Sequence, residues 1–187
     1  MPTNISSRFS PLMNLFLIGY RGSGKTSVAQ ALAQRLHWPW LDADVELEQR
    51  AGKSIKQIFA EQGEPAFRNL ESAIVADLAA RTGHIIALGG GAVMRAENRA
   101  ALQGRGKVIW LTAPPQVLAA RIAADPTTPA RRPSLTGLGQ TDEIRELLAQ
   151  RQQHYADCAD LTIDSATQSP SSIAAEIVAA LELQESA

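Results

Sequence analysis

Short, strongly apolar runs alternate along the chain with longer stretches in which apolar positions recur every three or four residues. The short runs, at residues 13–18, 40–43, 84–88, 107–112 and 161–163, have the length and branched-residue content of strands. The longer stretches predict helices over 25–36, 65–81, 114–123, 142–156 and 171–183. In the second of these, Phe67, Leu70, Ile74 and Leu78 make one apolar stripe, and Pro65 and Pro114 suit a first helical turn, where a missing N–H costs nothing. Ser54 opens a shorter helix through residue 59, which Gly63 closes. Alternation of this kind predicts an α/β protein, a three-layer sandwich in which a five-stranded parallel sheet is covered by helices on both faces.

Two regions depart from that rhythm. Residues 1–11, rich in Ser, Thr, Asn and Pro, have the composition of a flexible tail, which leaves one domain over 12–184. Residues 125–140 hold three prolines, two glycines and three threonines around the adjacent Arg131 and Arg132. A stretch of that length without regular structure reads as a lid, and the paired arginines suit one that closes over phosphates.

Charge narrows the ligand class. With 187 residues and a net charge of −1, the chain lacks the basic balance of a nucleic-acid binder, so a small-molecule partner is expected. The apolar run at 12–18 is too short to span a bilayer and leads into a glycine-rich turn, so no membrane contact and a cytoplasmic location are expected. The single cysteine, Cys158, excludes an internal disulfide and reads as a packed thiol.

The sharpest motif is Gly19-Tyr20-Arg21-Gly22-Ser23-Gly24-Lys25-Thr26, placed between a predicted strand and a predicted helix. Its glycines let backbone N–H groups turn onto phosphates, and the helix N-terminus adds partial positive charge. Lys25 reaches the β and γ phosphates, and the Thr26 hydroxyl is suited to Mg²⁺. The nucleotide-binding run is therefore Gly22, Ser23, Gly24, Lys25, Thr26 and Ser27. No Asn-Lys-x-Asp guanine-reading sequence occurs, which favours ATP.

Four weaker features follow in order. Asp42 and Asp44 end the second predicted strand; with a period of two they face the same way, one toward Mg²⁺ and the other toward an acceptor hydroxyl. The plainer reading makes Asp44 the cap of a helix starting at Val45. Arg68 follows the core residue Phe67, and Gly89-Gly90-Gly91 follows the third strand, where bare backbone can approach a ligand. Arg132-Pro133 lies in the lid stretch and Arg151-x-x-x-Tyr155 on the helix after it. Singly, each arginine is also readable as a solvated charge.

Taken in order, Gly-x-x-Gly-Ser-Gly-Lys-Thr, Asp-x-Asp, Phe-Arg, Gly-Gly-Gly, Arg-Pro-x-Leu and Arg-x-x-x-Tyr resemble the motif series of shikimate kinases over roughly residues 14–172. The resemblance implies a nucleoside monophosphate kinase fold, and transfer of the ATP γ-phosphoryl group to a shikimate hydroxyl on the way to chorismate and the aromatic amino acids. It implies that Asp44 holds that hydroxyl, that Arg68 and Arg151 bind the shikimate carboxylate, and that Gly90 adds a backbone donor within a substrate segment at 42–82. It also makes Arg132 the lid arginine on the ATP phosphates, beside Lys25, and lets Asp42 reach Mg²⁺ near Thr26. A monomer is the family default. Arg121 and Gln168 are the two candidates for the adenine contact.

Two features depart from the family pattern. Residues 125–130 are longer and richer in proline than the family leads one to expect, and the third strand ends in Gly89 rather than an acid, so Asp42 stands in for the usual metal carboxylate. A kinase for another small polyol such as gluconate shares the phosphate motif, and so does a noncatalytic ATP-dependent switch. Arg68, Gly90 and Arg151 together weigh against the first; Asp44 and the two-arginine substrate site of Arg68 and Arg151 have no purpose in the second.

Overall fold

Five strands, β1 (Asn14–Ile18), β2 (Trp40–Asp42), β3 (Ile85–Ala87), β4 (Gly106–Thr112) and β5 (Leu161–Asp164), pair in parallel across one sheet in the order 2-3-1-4-5. Seven helices accompany them among the described residues: α1 (Lys25–Leu36), α2 (Ala43–Ala51), α3 (Ile55–Ala79), α4 (Ala96–Leu102), α5 (Pro115–Ala124), α6 (Gln140–Cys158) and α7 (Pro170–Ala180). The computed structural model describes residues 13–125 and 140–184. The tail at 1–11 and nearly all of the lid at 125–140, with Arg131 and Arg132, lie outside those residues.

The alternation of β1 sorts the core into two layers. Phe16 and Ile18 face α2, α3 and Tyr155 of α6, while Leu15 and Leu17 face α1 and α7. All five residues of β1 are buried, and each apolar side chain so buried contributes roughly 1.5–3 kcal/mol, which makes this strand the firmest support in the molecule. A third, smaller cluster of Tyr20, Leu118, Ile122, Ile144 and Leu147 packs α5 and α6 beside the phosphate loop. Among the described residues, no helix is long and apolar enough to cross a membrane.

Several boundaries differ from expectation for identifiable reasons. The chain turns helical at Ala43, because the Asp42 side chain accepts from the amides of Asp44 and Val45 and so caps α2. Strand β2 thus ends at Asp42, and the strand-period argument for Asp44 fails. The helices expected at 54–59 and 65–81 lie in one element, interrupted at Gly63 (φ 80, ψ 174). Ser54 does open it, through a capping box with Gln57. Pro114 is the cap of α5, and Pro115 takes the first-turn position. Helix α4 and the 3-10 turn at Ala92–Met94 had no forecast, and neither has a side-chain cap at its N-terminus for sequence reading to find.

Candidate active site

The carboxyl edge of a parallel sheet is where strand order reverses and loops diverge to leave a crevice. Here Leu17, Ala87 and Asp42 stand in one row across β1, β3 and β2, so the loops that follow them open at the same level. From β1 the chain enters the phosphate loop. Gly19 has φ 138, and a Cβ there would lie 2.4 Å from the Leu111 carbonyl oxygen, so only glycine fits. Lys25 Nζ donates to the Gly19 and Tyr20 carbonyls, both at 2.9 Å, which holds its ammonium against the loop. Ser23 is buried inside that loop, and Ser27 is exposed on the first turn of α1.

At the neighbouring strand end, Thr26 Oγ1 donates to Asp42 Oδ2 at 2.8 Å. Asp42 Oδ1 accepts the Asp44 amide at 3.0 Å and the Val45 amide at 3.4 Å. The capping assignment expected for Asp44 therefore belongs to Asp42, and Asp44 stands in the first turn of α2. Thr26 and Asp42 together offer hard oxygen donors of the kind Mg²⁺ takes. Among the described residues no three His, Cys, Asp or Glu side chains cluster to hold a metal, so a cation beside this pair would complete its shell with phosphate and water oxygens.

The loop after β3 joins this end to a second pocket. A Cβ on Gly90 would lie 3.2 Å from the Arg21 amide nitrogen, so Gly90 packs directly on the phosphate loop. On its other side the Gly90 carbonyl accepts from Arg151 Nη1 at 3.3 Å and from the Tyr155 hydroxyl. Arg151 and Tyr155 lie one helical turn apart on α6, which is why both reach one carbonyl. Tyr155 is fully buried and stacks on Trp110 of β4 at 5.5 Å, and the Arg151 guanidinium sits 5.5 Å from the Tyr20 ring centre.

Arg68 comes from α3 to the next glycine. A Cβ on Gly91 would meet Arg68 Nη1 at 2.6 Å, so the guanidinium rests on bare backbone. Nη1 donates to Glu71 Oε2 at 2.7 Å, while Nε and Nη2 donate to Glu64 Oε1 at 3.2 and 3.1 Å. Burial opposes the charge on Arg68, but Glu71 and then Glu64 more than offset it and hold the guanidinium above its ordinary value. The result is a cationic cleft of about 520 Å³ lined by Arg68, Arg95, Arg151 and His154, with Glu64 as its acid and Met94 and Leu147 as apolar wall.

Of the residues expected from sequence, the structure thus brings Gly22, Ser23, Gly24, Lys25, Thr26, Asp42 and Asp44 to the ends of β1 and β2, and gathers Gly90, Arg68 and Arg151 around the loop after β3. Arg121 reaches the phosphate loop, donating to the Gly22 carbonyl at 3.4 Å and to the Ser165 and Ala166 carbonyls. Gln168 is held by Asp164, Ser172 and Glu176 around the start of α7. Sequence reasoning missed Glu64 and Glu71, and named Tyr20, Gly91 and Tyr155 within motifs without the contacts they make to Arg151, Arg68 and the Gly90 carbonyl. The spacing Glu-x-x-x-Arg-x-x-Glu around Arg68 was a readable sign for the first two.

Comparison with known proteins gives a consistent result. The shikimate kinase family matches residues 21–182. The shikimate kinase of Rhodopirellula baltica is 43% identical over 167 residues, 89% of each chain. That of Nitratidesulfovibrio vulgaris is 45% identical over 150 residues, covering 80% of this chain and 85% of its own. Among solved structures, the shikimate kinase of Acinetobacter baumannii in complex with shikimate superposes with a TM-score of 0.86 at 33% identity, covering 93% of this chain and 95% of its own.

Proposed function

Because this chain belongs to the shikimate kinase family, we propose that it transfers the γ-phosphoryl group of ATP to the 3-hydroxyl of shikimate, giving shikimate 3-phosphate and ADP. The pathway served is the one to chorismate and the aromatic amino acids. One observation carries the residue assignment: Gly90 and Gly91 connect a phosphate loop to two arginines, so a nucleotide and a carboxylate would lie on opposite sides of the same short loop.

In this reading Arg68 and Arg151 grip the ring carboxylate through charge-assisted bonds. Gly90 contributes its amide, its carbonyl being already held by Arg151 and Tyr155. Asp44 accepts the acceptor hydroxyl and orients or deprotonates it. Phosphoryl transfer is mostly positioning and charge neutralisation, so Lys25 and Arg132 flank the migrating group. Thr26 and Asp42 would hold Mg²⁺, which supplies shielding of the phosphate charge when bound with the nucleotide. Segment 42–82 is the substrate-binding part, and exclusion of water, assigned from the sequence to residues 125–140, would suppress ATP hydrolysis. Arg121 is the better of the two adenine candidates, since its guanidinium lies at the phosphate loop whereas Gln168 is bonded within its own turn.

The test is ADP release by the purified protein with Mg-ATP and shikimate, gluconate or no acceptor. Release is expected with shikimate alone. Release with gluconate but not shikimate would overturn the roles of Arg68 and Arg151, and acceptor-independent hydrolysis would favour the noncatalytic switch.

A further inference from the structure

Arg68 enters the cleft with two carboxylates already on it, and the two are not equivalent. Glu71, one turn further along α3, has a side chain only 4% exposed and braces Nη1 from inside the protein at 2.7 Å. Glu64, one turn earlier, has a side chain 53% exposed, and its Oε1 takes Nε at 3.2 Å and Nη2 at 3.1 Å. Those two donors form the lateral edge of the guanidinium, one of the edges on which arginine grips a planar carboxylate with parallel bonds. The opposite end is committed, because Nη1 lies between Glu71 and the backbone of Gly91. A two-bond grip through Nε and Nη2 therefore needs the edge that Glu64 covers.

The backbone explains why Glu64 stands there. Gly63, with φ 80 and ψ 174, interrupts α3, and Pro65 sits at the start of the resumed helix. Glu64 is the residue at which the chain re-enters the helix, four positions before Arg68, and its side chain lines the same cleft as Arg68 and Arg151. Solvent reaches this pair from the Glu64 side, which is 53% exposed against 14% for Arg68, and so weakens it.

We propose that Glu64 is an internal competitor for the substrate carboxylate. It covers the lateral edge of Arg68 while the cleft is empty and swings into solvent when a carboxylate-bearing acceptor arrives, so it sets how tightly that acceptor binds. Glu71 stays in place throughout and keeps the guanidinium on Gly91. The inference rests on the assignment of Arg68 to the shikimate carboxylate.

Calorimetric titration of the full chain with shikimate tests it, using wild type, Glu64→Gln, Arg68→Ala and the double variant, with the fitted stoichiometry reporting the folded fraction. Glu64→Gln is expected to tighten Kd by about three- to fivefold, the size of a lost exposed ion pair. Damage to the fold would weaken binding, so a gain cannot come from it. In the Arg68→Ala background the same change is expected to do nothing. If Arg68→Ala weakens binding but Glu64→Gln leaves it unchanged or weaker, Glu64 is a brace and the competitor idea is overturned. Tightening by Glu64→Gln in both backgrounds overturns it too, as a general charge effect. A Kd indifferent to Arg68→Ala overturns the role of Arg68 and this inference with it.

Discussion

The phosphate loop and the cleft around Arg68 and Arg151 are built by opposite means. At the phosphate end, eight consecutive residues from Gly19 to Thr26 form the loop, and its shape comes from backbone that only glycine can adopt. At the end proposed for the carboxylate, the groups are long side chains from α3 and α6 that meet over the loop after β3. In the first, carbonyls of the loop itself hold the Lys25 ammonium, and Arg121 braces the Gly22 carbonyl from α5. The second depends on partners: Glu71 holds Arg68, while the Gly90 carbonyl and the Tyr20 ring hold Arg151. A backbone site tolerates change around it but not within it. A side-chain site is sensitive one residue further out.

Substitutions can separate the two ends. Replacing Lys25 with Met removes the cation proposed to meet the phosphates and is expected to lower kcat by about 100- to 1000-fold with little change in melting temperature, as read by coupled ADP release and thermal unfolding. Arg151→Ala should act on the other kinetic constant: loss of a charge-assisted partner is worth about 1.5–3 kcal/mol, so KM for shikimate should rise by about 10- to 100-fold while KM for ATP holds. An unchanged KM for shikimate would put Arg151 outside the carboxylate site.

Gly91→Ala sharpens the comparison, because this glycine serves a side chain rather than its own backbone. Its φ of −111 is open to any residue, yet the added methyl would strike Arg68 Nη1 at 2.6 Å. A rise of roughly threefold to tenfold in KM for shikimate is expected, at a stability cost within about 1 kcal/mol because the tip of a side chain can shift. A loss of folding instead would show that the loop is as rigid as the phosphate loop.

The smallest effect lies outside both ends. Burial pushes the Cys158 thiol up, Arg99 partly opposes this and Asp157 adds to it. The folded chain therefore holds the proton to higher pH than the unfolded chain, and contributes stability that is lost as pH rises through the folded value. Iodoacetamide labelling near pH 8 should be several-fold slower in the native than in the denatured protein, with the gap closing at higher pH. Equal rates at pH 8 would mean the thiol is not packed.

How much of this was legible depends on how far each feature reaches along the chain. Helix α1 was expected at 25–36 and occupies Lys25–Leu36, because the motif's last glycine marks its start. Strand positions were read to within one or two residues from their apolar runs. Asp42 and Asp44 were misassigned to one strand, since periodicity cannot tell an extended step at Ala43 from a helical one when a side chain caps it. Glu64 and Glu71 stood at helical spacing from Arg68, but nothing local said which was buried.

The sequence by itself determined the phosphate loop and the helix that follows it, because steric limits on φ and ψ and hydrogen bonds between near neighbours act within one short segment. It also determined the alternation that makes a parallel sheet. Only the tertiary structure decided that Arg68 rests on Gly91 and that Arg151 and Tyr155 share the Gly90 carbonyl. Each of these contacts exists only once β1 and β3 lie side by side and α3 and α6 pack across them, a matter of which surfaces exclude water together.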